Sequence, residues 1–373
     1  MTLYGRGPSL DPHLYDADGI SLQRGLTTGH RRLAFDLPRR TPGPPLPAIV
    51  DERNDENLLV AQIHVLFIKF HNAVVRHFGF TGPTQFQQAR DTVVLHFQSV
   101  VVHDYLKRIT ESTTYDSLLA RGFEPFGINA SNRFLPAEFS FAAFRFGHSM
   151  SRPDYILNLR SDPPDKFDLF RMFNFVGFKH FTLCGYQKKD TLPTKWAVDW
   201  RLFFDYPRQP GLHQNRALMI APRLATDLGL VKLGANCSDD TDVFSLAEKD
   251  LRVGLATNLT SGQEAAGLIG VAPVPDDALT RMIPTRLSSH FLRHTPLWYY
   301  ILAEARHFEN GERLGLVGSA LVAGTIFGLV RAAPLSVLAD EAFRAVNGRS
   351  TFSMTDLLEF IESIDGPNAL QPI

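Results

Sequence analysis

Between Leu59 and His77, apolar side chains return at every third or fourth position: Leu59, Ile63, Leu66, Phe67, Phe70 and Val74. That period puts them on one face of an amphipathic helix of about five turns, which Gly79 is placed to end. After Gly82-Pro83 restarts the chain, Phe86, Val93, Val94, Phe97, Val100, Val101 and Tyr105 repeat the pattern, predicting a second helix of similar length. A third is predicted from Pro136, suited to a first helical turn, through Phe139, Ala143 and Phe146 to His148. Helices are also expected over Thr295–His307, Val317–Val330 and Met354–Ile364, the last capped by Ser353 or Thr355. Residues 1–50 contrast with all of these, since Pro42-Gly43-Pro44-Pro45 and Pro47 exclude regular helix and leave an extended arm. Residues 151–245 read as short helices and loops, strand alternation is weak throughout, and no internal repeat is visible. The expected class is mainly α: an extended arm, 1–50, followed by a single large helical domain, 51–373.

A chain of 373 residues, 44% hydrophobic and 21% charged, can bury a large core. Its 38 basic and 39 acidic side chains leave a formal charge of −1, so no global field recruits nucleic acid or anionic membrane, and small molecules are the expected partners. Cys184 and Cys237 make neither a disulfide framework nor a zinc cluster and fit a reducing compartment. The first residues carry no apolar run of secretory length, which makes the cytoplasm the default expectation, and no uninterrupted apolar segment is long enough to suggest a membrane span.

Two short stretches carry chemistry. His148 closes the third predicted helix beside Gly147, whose missing side chain lets a flat ligand approach the imidazole. By itself a histidine on an apolar face is more often a hydrogen-bonded core residue. Arg53 and Glu56, three apart, share a helical face that Asn54 or Asp55 could cap, and an exposed ion pair is the ordinary reading of such a pair.

Asp51-Glu52-Arg53-Asn54-Asp55-Glu56-Asn57, with Leu59-Val60-Ala61-Gln62-Ile63-His64 and Phe70-His71-Asn72 after it, resembles the animal-type haem peroxidases (the myeloperoxidase, peroxinectin and cyclooxygenase superfamily), especially their bacterial branch. Leu3-Tyr4-Gly5-Arg6-Gly7-Pro8-Ser9, Glu138-Phe139-Ser140 through Met150-Ser151-Arg152-Pro153, Trp196-Ala197-Val198-Asp199-Trp200, Ser261-Gly262-Gln263 and Thr295-Pro296-Leu297-Trp298-Tyr299-Tyr300 resemble further blocks of that family in the same order. The resemblance implies a haem b cofactor with His148 as proximal iron ligand. It implies that Arg145 reaches a haem propionate and that Arg53 is the distal arginine, whose charge stabilises the anion formed as a peroxide O–O bond breaks. Glu56 matches a glutamate that forms an ester to haem in some members. The family also supplies an acceptor for the second nitrogen of the proximal imidazole. Counting back without gaps from Ser261-Gly262-Gln263 puts Asp250 there, and a gapped count would put Asn258.

One family segment has no counterpart in this sequence. The distal histidine, the calcium ligands, a second ester-forming carboxylate and a halide-binding glutamine precede the Leu-Tyr-Gly block, which here begins at residue 3. The expectation is therefore a truncated chain, without bound calcium, whose distal side beside Arg53 is open and exposes apolar surface. His64 and His71 follow Arg53 too far along a helix to substitute, and His13 and His30 lie in the arm. Loss of a positioned acid–base group typically costs on the order of 10²- to 10⁴-fold, so reduced peroxidase activity toward hydrogen peroxide and small donors is expected. A non-catalytic haem-binding scaffold is the alternative. A fatty-acid dioxygenase is disfavoured, because the tyrosine which that subfamily carries three residues before the proximal histidine is Arg145 here.

Overall fold

The computed structural model describes residues 3–27, 34–40, 46–55, 57–120, 125–161, 164–169, 172, 192–212, 215–229, 231–232, 243–281, 283 and 289–371. Cys184, Cys237, His30 and Glu56 lie outside them. The fold is mainly α, with two small antiparallel hairpins, Asp154–Ile156 against Lys166–Asp168 and Val231–Lys232 against Val243–Phe244.

The first predicted helix is Leu58–Phe78. Asn57 caps it, its side chain accepting from the Leu59 and Val60 amides, so neither Asn54 nor Asp55 is the cap. Gly79 ends it at φ 64, the left-handed geometry that glycine adopts without strain. Contrary to expectation, this helix is long and apolar enough by length and composition to cross a membrane, but 72% of its most apolar stretch is buried within the protein.

Gln62, His64, Lys69, His71 and Asn72 of this helix are buried too, and that shows how the arm is held. A chain without ladder partners must satisfy its backbone through side chains. Asn72 clamps both the amide and the carbonyl of Leu22 (2.8 and 2.9 Å), Gln62 donates to the Phe35 carbonyl at 2.5 Å, and His71 bridges the Tyr4 hydroxyl and the Ile20 carbonyl, each at 2.9 Å. Tyr4, Leu14, Tyr15, Ile20, Leu22 and Leu37 of the arm join the main hydrophobic core. The described part of the arm is well packed and includes a 3-10 turn, Pro12–Leu14; Pro42, Gly43, Pro44 and Pro45 lie outside the described residues.

The second helix is α-helical over Phe86–Ser99 and then widens to a π-helical stretch, Val100–Leu106, before a last α-turn, Lys107–Ile109. Asp104 in the widened part pairs with Arg108 and accepts the Met354 amide at 2.9 Å, tying this helix to Met354–Asp365. Ser353 caps that final helix in a capping box with Asp356.

The third predicted helix is broken. Ala137–Phe141 is α-helical, Ala142 departs to φ −134, ψ −70, and Ala143–Met150 continues as a 3-10 helix. Phe139 and Phe144 stack across the break with centroids 4.8 Å apart. Three residues per turn eclipses positions i and i+3, so Arg145 and His148 stand on one row.

Leu297–Phe308 packs against the Ala143–Met150 segment and against Leu246–Ala256, Gly262–Ile269 and Leu316–Ala332. The Ser261-Gly262-Gln263 block has plain structural reasons. Ser261 forms a capping box with Glu264, a side chain on Gly262 would collide with the Tyr300 ring, and Gln263 holds both the amide and the hydroxyl of Thr295.

Candidate functional site

Leu246–Ala256 is a helix whose buried face is a single residue, the fully buried Asp250. A lone buried carboxylate needs partners, and it has two. Its Oδ2 is 2.6 Å from His148 Nδ1 and its Oδ1 is 2.5 Å from an Arg145 terminal nitrogen. A carboxylate can only accept, so His148 Nδ1 donates to Asp250, and in the neutral imidazole this tautomer leaves the lone pair on Nε2. Arg145 Nε donates to the Ser140 carbonyl at 3.2 Å, and Trp298 Nε1 donates to the Arg145 carbonyl at 3.2 Å, which pins the 3-10 segment from the opposite helix.

The resemblance implies that Arg145 reaches outward to an anionic cofactor group. In the structure one terminal nitrogen of Arg145 bonds the carboxylate that also holds His148. Sequence reasoning missed this sharing, although the three-residue spacing of Arg145 and His148 was its signal. Asn258, the gapped alternative to Asp250, sits in the turn after that helix at φ 50, a conformation that asparagine tolerates, and is a turn residue.

The His148 imidazole is partly exposed, its side chain at 35%. Among the described residues, apart from Gly147's chain neighbours and the segment's own backbone, no atom lies within 4 Å of where a Gly147 side chain would begin. Phe144 on the His148 segment and Leu251 and Leu255 on the Asp250 helix are all exposed. These residues fit a flat apolar ligand carrying an atom for Nε2 to bind.

The stretch around Arg53 divides differently. Residues Glu52–Asp55 form a separate 3-10 turn. Asp55 points inward and, with Asp36, holds the buried Arg39 of the arm, each at 2.9 Å. Arg53 points outward, its side chain 80% exposed and paired with Asp51 at 2.7 Å; the hydrogen bond from Arg53 holds the Asp51 carboxyl down at about 2. Val50 and Val60 nearby are exposed. A cavity of about 460 Å³ lies between the first two helices and is lined by Ile63, Phe67, Phe97, Tyr105 and Phe203 among others; among its described lining residues are neither Arg53 nor His148.

His64 is nearer to Arg53 than helical arithmetic allowed. The count treated residues 53–64 as one helix, but the helix starts at Leu58, and the preceding turn brings Asn54 within 3.1 Å of His64 Nδ1. Burial lowers the His64 imidazole to about 4. His71 is committed to Tyr4 and Ile20 and is a structural histidine.

Residues 26–180 match the family described as animal haem peroxidase. Peroxinectin A of Dictyostelium discoideum is 27% identical over 173 residues, 40% of this chain and 29% of that protein. Thyroid peroxidase of Rattus norvegicus is 26% identical over 191 residues, 46% of this chain and 20% of that protein. The chain thus matches less than a third of the length of these curated relatives. Among solved structures, peroxidase A from Dictyostelium discoideum has a similar fold, with a TM-score of 0.60 at 17% identity over 99% of this chain and 70% of that one.

Proposed function

We propose that this chain, whose residues 26–180 match the animal haem peroxidase family, is a haem-dependent peroxidase acting on hydrogen peroxide and small-molecule donors. The observation that carries the reading is the 2.6 Å hydrogen bond between His148 Nδ1 and the buried Asp250, which commits Nδ1 and leaves Nε2 as the nitrogen for a ligand. Metal-ligating histidines are held in this way. Bound there, haem b would supply the redox chemistry, two-electron reduction of peroxide followed by oxidation of phenolic or halide-like donors.

The chain's own residues then have separate tasks. Asp250 orients His148 and shares its negative charge between the imidazole and Arg145, so the imidazole receives less of it than a lone carboxylate would give. Arg53 supplies a fixed positive charge for the oxygen anion that develops on the peroxide. To do so it must leave Asp51, and an exposed ion pair is weak enough to allow that. An ester through Glu56 belongs to the same reading.

The 80% exposure of Arg53 favours a second reading, a scaffold that binds haem without turnover. Haem titration followed by peroxide consumption separates the two. A Soret band that needs His148, together with consumption that needs Arg53, supports the peroxidase; a His148-dependent band without consumption supports the scaffold. A Soret band unchanged in His148→Ala overturns both.

A further inference from the structure

On the far side of the Gln263 clamp is a pair of side chains that the proposed chemistry does not use. His290 and His294 are exposed and four residues apart on the turn that ends the short helix Ser289–Arg293. The His294 amide donates to the His290 carbonyl at 2.9 Å, so α-helical geometry holds across the pair and puts both rings on one face. The ring centroids are 4.9 Å apart, with planes at 36°.

We propose that His290 and His294 form a site for a divalent transition-metal cation of the Zn(II), Ni(II) or Cu(II) class. Two imidazoles at i and i+4 on one helical face are a chelating pair for such ions, which take neutral imidazole nitrogen readily. The pair is pre-positioned from outside its own helix. Gln263 donates to the Leu292 carbonyl and the Thr295 hydroxyl, each at 2.8 Å, and accepts the Thr295 amide at 3.0 Å, which fixes the backbone on both sides of His294. A cation therefore need not order the turn that binds it, and that entropic cost is what weakens metal pairs on unanchored chain.

The charge nearby is favourable. The Glu264 carboxyl, held below the ordinary range by its hydrogen bonds with Ser261, also interacts with His294, so a carboxylate stands near the pair without being a ligand. Among the described residues no group of three His, Cys, Asp or Glu side chains completes a coordination set. Water fills the other positions of the ion, and the site is an open one. It is built on other elements than those carrying His148 and Asp250, and it needs no haem.

Isothermal titration of the full chain with NiCl₂, and separately with CuCl₂, tests this, alongside His290→Ala, His294→Ala, His148→Ala and the exposed-histidine control His13→Ala. Circular dichroism melts establish that each variant is folded. The expected result is one equivalent of ion bound, Cu(II) more tightly than Ni(II), with affinity falling at least tenfold in either pair variant and unchanged in the two controls. Because protons compete for the imidazoles, binding should weaken on acidification. Absence of stoichiometric binding, or affinity that falls as much in His13→Ala or His148→Ala as in His290→Ala, overturns the site. Should one pair variant prove unfolded, paramagnetic broadening of the His290 and His294 imidazole resonances by Cu(II) in the unmodified chain decides the matter: broadening elsewhere alone would sink the proposal.

Discussion

The His148 segment and the Arg53 turn both belong to blocks that resemble one family, and they are held in opposite ways. His148 is fixed by the fully buried Asp250, which Arg145 also holds, and Trp298 pins the segment from a separate helix. Arg53 is bonded to Asp51, two residues away on the same exposed turn. A segment held from two other helices keeps its geometry before any ligand arrives, whereas an exposed side chain bonded to a residue of its own turn can take its final position from what binds. The difference separates a preorganised half-site from one that must be completed.

His148→Ala breaks the comparison most severely. It should abolish specific haem binding, read as loss of the Soret band on titration, while the chain stays folded because the imidazole is one-third exposed. Retained stoichiometric binding would mean that the preorganised half is not where the cofactor sits.

Arg53→Ala tests the other half. Since the side chain is 80% exposed, the melting temperature should be unchanged, while the rate of reaction with peroxide in the reconstituted protein falls on the order of 10²-fold, the usual cost of removing a charge that stabilises a developing anion. An unaltered rate would leave the turn with only a structural task, the one that Asp55 performs by holding Arg39.

Asp250→Asn sharpens the account of the preorganised half. An amide at this position can still accept from His148 Nδ1 but carries no charge, so haem should remain bound, with roughly a 10- to 100-fold loss in affinity or activity and a higher iron reduction potential. Arg145→Gln should move the potential the opposite way, because Asp250 then gives its full charge to the imidazole. Spectroelectrochemistry on the two variants checks the pair of signs, and shifts in the same direction would refute the shared-carboxylate reading.

These contrasts follow what a sequence can display. The helices at Leu58–Phe78, Leu297–Phe308, Leu316–Ala332 and Met354–Asp365 were legible to within two residues because each buries an apolar stripe. Leu246–Ala256 was not, since its only buried residue is charged; Asp250 was reached by counting from Ser261, not by any periodicity. The break at Ala142 and the π-helical widening after Ser99 left no trace, because neither involves proline or changes the apolar pattern. The nearness of Asn54 to His64 was hidden by treating two helical pieces as one. What stayed unread was mostly backbone geometry that tertiary packing imposes.

The smallest effect expected belongs to the scaffold behind His148. Leu297–Phe308 carries Trp298 at its start and the buried Glu304 near its end, and Glu304 accepts the amides of Val317 (2.9 Å) and Gly318 (3.0 Å), capping Leu316–Ala332 from outside. Gly315 leaves room for it, since a side chain there would collide with the carboxylate. Burial raises the Glu304 carboxyl to about 7, outweighing the two amides, which favour the ionised form. The sign follows from linkage: a carboxyl whose pKa is higher folded than unfolded binds its proton more tightly in the fold, so its contribution to stability is complete below about 4.5 and is lost as pH rises through about 7. The unmodified protein should therefore lose a few degrees of melting temperature between pH 5 and pH 7.5, and Glu304→Gln, which cannot ionise, should flatten that slope. The Arg53 side chain is 80% exposed and touches none of this machinery, so Arg53→Ala should leave the slope intact. If Glu304→Gln keeps the full pH dependence, the cap is ionised throughout and the supports behind His148 are as indifferent to pH in this range as the exposed turn.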